Sequence, residues 1–281
     1  MGVVKNIIFC EGKTDIPLLN KIVDGVRGDK PVPVSVGGKF NFKAFVDGYF
    51  SGKEESQPYI IFRDRDFDIQ PTDKVELLRL NSMFLTHRTC IENYLLLPDL
   101  IDNWWRYKHE EKIENPSSKW SHKNSPGIDE ISKWLETSAE SLKDYQAVRW
   151  SLGEFSKTTA QKQIKTTWTD GSGHLPDSLT PEYCKTEALG LISEFRKVVD
   201  KVTPDNFETS LAEYQDRFNQ PEFWEKKDYL IWFNGKDIHK EMQRKKSQYP
   251  SLKNFYEWAI ERLDINQHPD LMELRIKIEQ L

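Results

Sequence analysis

Apolar positions along the first hundred residues follow two periods in turn. Residues 3–10, VVKNIIFC, form a mostly apolar run. Residues 16–26 then repeat Leu18, Leu19, Ile22, Val23 and Val26 at helical spacing. A short apolar run bounded by polar residues reads as a covered strand, and apolar recurrence three and four residues apart reads as a helix face. The alternation continues. Residues 31–36, PVPVSV, predict a second strand, put at a sheet edge by its prolines. Residues 40–50 predict a helix with Phe42, Phe45, Val46 and Tyr49 turned inward, and residues 59–62, YIIF, a third strand. Residues 81–87 predict a fourth strand, and residues 91–97 a helix halted by Pro98. Strands separated by helices predict an α/β class with a mostly parallel sheet and right-handed crossovers.

The pattern changes after residue 97. Helical spacing runs through 100–112, 128–142, 186–202 and 207–218, interrupted by stretches rich in Ser, Pro, Gly and Asn at 115–127 and 170–181. Strand character returns in residues 228–233, DYLIWF. Asn234-Gly235-Lys236 then reads as a turn, followed by a helix that sets Lys236, Lys240 and Arg244 four residues apart on one face. Residues 254–280 are mostly helical in pattern. The expected organisation is a core over 1–97, a helical insertion over 98–226, and a return strand with C-terminal helices over 227–281. The tryptophans of the insertion (Trp104, Trp105, Trp120, Trp134, Trp150, Trp168) read mainly as core, and Lys157, Lys162 and Lys165 as a solvated helix face.

Polar chemistry gathers where the apolar strands stop. The first strand runs into Glu11-Gly12-Lys13-Thr14-Asp15, with Gly12 expected to permit a sharp turn and Asp15 to sit in the first turn of the next helix. The third strand runs into Asp64-Arg65-Asp66-Phe67-Asp68, and strand alternation would put Asp64 and Asp66 on one side. Glu92 begins a helix after the fourth strand, beside His87 and Arg88. Ligands of open α/β sheets gather at the carboxyl ends of the strands. Carboxylates crowded there repel unless a cation lies among them, and oxygen-only ligands suit a hard divalent ion such as magnesium. Taken separately, Asp64–Asp68 also fits a solvated acidic turn, and Glu92 a carboxylate that only favours the helix dipole.

Composition narrows the class. The 281 residues carry a net charge of −5, with 30% charged side chains, so the chain is not a generally basic nucleic-acid binder, although a local basic patch would suffice. No apolar run approaches transmembrane length, no signal-peptide pattern opens the chain, and Cys10, Cys90 and Cys184 lack disulfide or metal spacing. These features predict a cytoplasmic protein with reduced thiols. No phosphate-binding loop of the Gly-x-x-x-x-Gly-Lys-Ser/Thr type occurs, so an associated ATPase would be a separate chain.

Glu11-Gly12 with Asp15, followed by Asp64-Arg65-Asp66-Phe67-Asp68, resembles a TOPRIM domain, the metal-binding fold of topoisomerases, primases and nucleases of the overcoming-lysogenisation-defect (OLD) type. Val36-Gly37-Gly38-Lys39 is closer to those nucleases than to topoisomerases, and Cys90-Ile91-Glu92-Asn93-Tyr94-Leu95 resembles the AriB-type effectors of the PARIS anti-phage system. The likeness covers about the first hundred residues and resumes near Asn234-Gly235-Lys236. It implies a TOPRIM, Rossmann-like sheet with a large helical insertion, and a magnesium-dependent endonuclease acting as a toxic defence effector. Manganese would substitute for magnesium. Glu11, Asp64, Asp66 and Lys236 would be catalytic. One or two metal ions would be held by Glu11, Asp15, Asp64, Asp66, Asp68 and Glu92, and Lys39, Arg88, Lys240 and Arg244 would contact nucleic acid. The implied substrate is transfer RNA, with DNA as the OLD-type alternative. The implied partner is an ABC-type ATPase subunit that restrains the protein until release as a homodimer. A haloacid-dehalogenase-like phosphatase also places Asp-x-Asp after an apolar strand, but expects Thr or Val where Asp68 stands. A non-catalytic TOPRIM scaffold is the remaining alternative.

Overall fold

Ile7–Cys10 forms β1, whose four residues are all buried. It lies inside a five-stranded sheet of order β2-β1-β3-β5-β4, with β2 at Val32–Ser35, β3 at Tyr59–Arg63, β4 at Leu78–Leu80 and β5 at Met83–Leu85. The pairs β1–β2, β1–β3 and β3–β5 are parallel, and β4 runs antiparallel to β5. The structure, a computed structural model, describes residues 6–52, 57–158 and 180–281.

The expected α/β class with a mostly parallel sheet is present, and β2 takes the edge position that its prolines require. Helix α1 (Ile16–Asp24) and helix α2 (Phe42–Phe50) join the first three strands. Ile7 and Phe9 pack with Phe42, Val46 and Ile61 against α2, with Phe45 and Tyr49 beside them. The alternate residues Ile8 and Cys10 point to the opposite face, where α1 buries Leu18, Leu19, Ile22 and Val23. Burial of this quality stabilises by roughly 1.5–3 kcal/mol per large side chain. Helices α3 (Glu92–Leu95), α4 (Pro98–Glu114) and α5 (Ile128–Thr158) follow the sheet.

The fourth strand is shorter than residues 81–87 and has a partner that the pattern hid. Asn81 adopts φ 55° and turns β4 back onto β5. Leu78-Arg79-Leu80 is too short to show strand periodicity by itself.

Two compact units divide the chain, one of residues 1–143 and 221–281, the other of 144–220. The helical insertion expected over 98–226 is therefore narrower. Helix α4 and the first half of α5 belong to the sheet-bearing unit. Trp105 and Trp134 both meet Tyr249, each with ring centroids 4.9 Å apart, and Trp104 meets Phe255. The second unit contains the end of α5 with α6 (Pro181–Val199) and α7 (Pro204–Asn219). Trp150 stacks there on Tyr214, whose hydroxyl donates to Glu154 Oε1. Lys162, Lys165 and Trp168 lie outside the described residues, as does most of the loop expected over 170–181.

The remaining helices are α8 (Pro221–Glu225), α9 (Tyr229–Trp232), α10 (Gly235–Lys245), α11 (Phe255–Arg262) and α12 (Pro269–Glu279). Helix α9 corrects the expected return strand over 228–233. Trp232 N–H donates to Asp228 O and Phe233 N–H to Tyr229 O, a helical pattern. The sheet edge open to a return strand beyond β5 is already taken by β4. A short apolar run does not distinguish a buried strand from a buried helical turn.

No helix among the described residues is long and apolar enough to cross a membrane.

Candidate metal centre

Three adjacent parallel strands release the chain at the same end of the sheet. Cys10 of β1 pairs with Phe62 of β3, and Arg63 pairs with Leu85 of β5. Glu11 and Asp64 therefore leave neighbouring strand tips, and the segment after β5 brings in Glu92.

Two glycines fix the first tip. Gly37 and Gly38, at φ 80° and 134°, both donate N–H to Glu11 O, at 3.1 and 2.9 Å. That backbone region is costly for any side chain other than glycine's, which accounts for the Gly-Gly pair before Lys39. Gly12, in contrast, is extended at φ −129°, so no left-handed turn follows Glu11. Its N–H donates to Asp15 Oδ2 at 2.8 Å, and Thr14 Oγ1 donates to Asp15 Oδ1. Asp15 thus caps its own turn while facing the acidic group.

Asp64 is the most deeply placed carboxylate of the strand tips. Its Oδ1 accepts the Ile91 N–H at 2.9 Å, and its Oδ2 lies 3.3 Å from Lys236 Nζ. Burial holds its carboxyl well above the usual range; Lys236 opposes the shift, and Glu92, Asp15 and Asp66 add to it. Glu11 is raised by burial and then by Asp66 and Asp15, and Asp15 is raised chiefly by burial. Among the described residues, Asp64, Cys90 and Glu92 bring their ligand atoms within 4.8 Å of one another. Glu92 Oε2 is buried without a hydrogen-bond partner, and Lys236 Nζ stands 3.7 Å from it. The Cys90 thiol donates to Asn93 Oδ1 at 3.0 Å, and burial raises it well above the ordinary thiol value. Without a cation beside it the thiol stays protonated, and the other ligating atoms on offer are oxygens. Burial also pushes the Cys10 thiol up to about 12.

Asp66 reaches the site by a route other than strand alternation. The strand ends at Arg63, and Asp66 adopts φ 50° with its N–H on Thr89 O. Asp68 is committed elsewhere. It pairs with buried Arg63 Nη2 at 2.6 Å and with Lys39 Nζ at 2.6 Å, so two cations already face its carboxylate. Lys39 Nζ is also 3.7 Å from Asp66, which makes it a cation of the acidic rim.

Lys236 comes from the start of α10. Asn234 caps that helix by accepting the Lys236 N–H, and Gly235 lies so close to Asn93 that an added Cβ would stand 2.8 Å from Asn93 N and Oδ1. Burial acts to lower the Lys236 ammonium, but Asp64 and Glu92 outweigh it and hold the group above its ordinary value. Lys240 is exposed one turn further on. Arg244 is held by Glu241 through two contacts, at 2.7 and 2.9 Å. Arg88 is engaged within the fold: its Nη1 donates to Asn93 O at 2.5 Å and its guanidinium stands over the Tyr94 ring. The residue follows β5 into a folded corner, where its charge serves packing.

Three contributors carry no sequence signal of their own. Arg65 is fully buried and donates to His87 O, Ile69 O, Thr89 Oγ1 and Ile231 O, tying both tips to α9. Asn93 accepts from Gly235 N and donates to Phe233 O, joining α3 to α10. Tyr256 on α11 has a buried hydroxyl without a partner, raised by burial and then by Glu92 and Cys90. Asn93 follows Glu92 and Arg65 follows Asp64 in the chain; Tyr256 meets the site only through long-range packing.

The donors present fit a hard divalent cation: crowded carboxylates, raised acid groups, an orphaned buried carboxylate oxygen and a protonated thiol. No protein-family model and no curated protein matches this chain.

Proposed function

We propose that the chain is a TOPRIM-type, metal-dependent nuclease. The observation that carries this reading is the convergence of Glu11, Asp64 and Glu92 from three neighbouring strand ends around one lysine, with Glu92 Oε2 buried and without a hydrogen bond. Asp64, Glu92, Glu11 and Asp66 would hold one or two magnesium or manganese ions, whose chemistry there is charge stabilisation at a phosphodiester under attack. Lys236 stays protonated, so it acts as a fixed positive charge toward a phosphate oxygen and not as a base. Lys39 supplies positive charge at the rim beside Asp66, and exposed Lys240 extends it along α10 toward a polyanionic strand.

The residues that resemble the PARIS effectors favour RNA, with transfer RNA as the substrate, over the DNA cleaved by OLD-type enzymes. The same likeness supports a defence role, an ABC-type ATPase partner and an active homodimer. Cleavage of transfer RNA and plasmid, offered side by side with magnesium, manganese or EDTA, tests the reading. Cleavage is expected only with metal. Glu11→Ala should abolish it in a folded protein, and Lys236→Ala should lower turnover roughly 10²–10³-fold while magnesium binding persists. Hydrolysis of small phosphate monoesters without nucleic-acid cutting would replace this reading with the phosphatase one.

A further inference from the structure

A cavity of about 530 Å³ opens away from the strand tips, among α4, the 115–127 loop and the turn into α11. Its size falls in the usual range for small-molecule sites. One wall is aromatic. Trp104 meets Trp120 edge to face at 5.5 Å, and Trp120 meets His122 at 5.0 Å. Phe255 backs Trp104 at 5.6 Å, and Trp104 is almost wholly buried, so the wall is firmly mounted.

The polar lining includes hydroxyl and ammonium donors, beside Glu111 and Asn254. The Trp120 indole N–H is buried without a partner. Ser118 Oγ accepts the Trp120 N–H and Ser251 Oγ accepts the Lys253 N–H, so each hydroxyl proton is left to donate. Lys108 is matched by Glu111 within the lining. Lys119 makes no ion pair among the described residues, and its charge is therefore in surplus. His122 Nδ1 lies 3.0 Å from Gln248 O, which fixes that nitrogen as the donor. An aromatic wall facing unmatched donors and a spare ammonium calls for a ligand with a π-face and an anionic group.

We propose that this cavity binds a nucleoside phosphate, with the base against Trp120 and His122, which Trp104 backs, and the phosphate at Lys119 and the Ser118 and Ser251 hydroxyls. The ligand is a free mononucleotide or the phosphorylated end of a strand; the chemistry recognised is the same. Helix α11 packs against both α4 and α3, so the cavity stands one helix away from Glu92. The proposal holds whether or not the strand tips cut nucleic acid.

The test is titration of the full chain, in EDTA, with AMP and separately with a 5′-phosphorylated oligonucleotide, followed by tryptophan fluorescence and calorimetry. Saturable binding is expected for at least one of them. Tighter binding of AMP assigns a free nucleotide, and tighter binding of the oligonucleotide a strand end. Lys119→Glu, on an exposed loop, should weaken binding at least tenfold, and Trp120→Ala should suppress the fluorescence response. Lys30→Glu, just before β2 at the other end of the sheet and outside the cavity lining, should leave binding unchanged. Three results would each overturn the proposal: no saturable response to either probe, equal affinity in the Lys119→Glu protein, or adenosine binding as tightly as AMP.

Discussion

Asp64 and Arg65 are neighbours in the chain, both ionisable and both nearly sealed from solvent, yet their surroundings differ in kind. The Arg65 side chain donates to three backbone carbonyls and a threonine hydroxyl. Burial pulls it down to about 10, which still leaves it charged at neutral pH. Asp64 has one backbone N–H and a lysine, and faces Glu92, Asp15 and Asp66 as like charges. A buried charge that serves the fold is surrounded by partners, because an unmatched one is expensive. A buried charge left in repulsion is tolerated where a ligand completes it. Beneath the strand tips, electrostatics serves the fold; at the tips it is held open.

The largest expected effect breaks this comparison from the satisfied side. Arg65→Met strands the carbonyls of His87 and Ile69 and removes one of the donors to Ile231 O, and denaturant unfolding should show a loss of about 3–5 kcal/mol. A loss below about 1 kcal/mol would mean that the hub is ornamental.

The second test uses pH on the polar network beneath the tips. Tyr94 Oη donates to Asp270 Oδ2, which also accepts the His87 N–H, and His268 stands edge to face on Tyr94. Burial pulls His268 down to about 4, helped by Arg88 and opposed by Asp270 and Asp264. A histidine depressed in the folded state takes up its proton more readily when unfolded. Stability is therefore full above the unfolded value near 6.5 and lost as pH falls toward 4. The loss attributable to this group is roughly 1–2 kcal/mol, and His268→Gln should flatten that part of the acid-unfolding curve.

The smallest effect sharpens the comparison from the open side. Asp64→Asn relieves repulsion, and in EDTA it should raise stability by about 0.5–1 kcal/mol while removing magnesium affinity. A thermal melt with and without magnesium reads both. Destabilisation in EDTA would show Asp64 to be structural.

The tips were legible in the sequence because Glu11 directly follows an apolar run, Asp64 follows one with only Arg63 between, and Glu92 opens a helical pattern after the next strand. The sheet was legible for the same reason: β1 and β3 are apolar runs of the right length between polar breaks. Chain neighbours say nothing of partners brought from far away. Ile231 O accepts from Arg65 and Thr89, which closes off the strand role that residues 228–233 suggest by composition. Asp68 looks like Asp64 and Asp66 in the sequence, but Arg63 and Lys39 have claimed its charge. Arg88 looks available for phosphate until Tyr94 and Asn93 fold around it.

The contact between Gly235 and Asn93 has a kinetic consequence. A lysine placed by its ion pairs alone would swing away whenever a cation displaced it from the carboxylates, and would have to return before each reaction. The start of α10 is instead fastened to α3 by Asn93, at a separation that admits no side chain at position 235. The Lys236 backbone therefore keeps its place whether the carboxylates are bare or loaded, and little rearrangement is needed between the two states. Transplanting this lysine into another scaffold would require the glycine and the asparagine to travel with it.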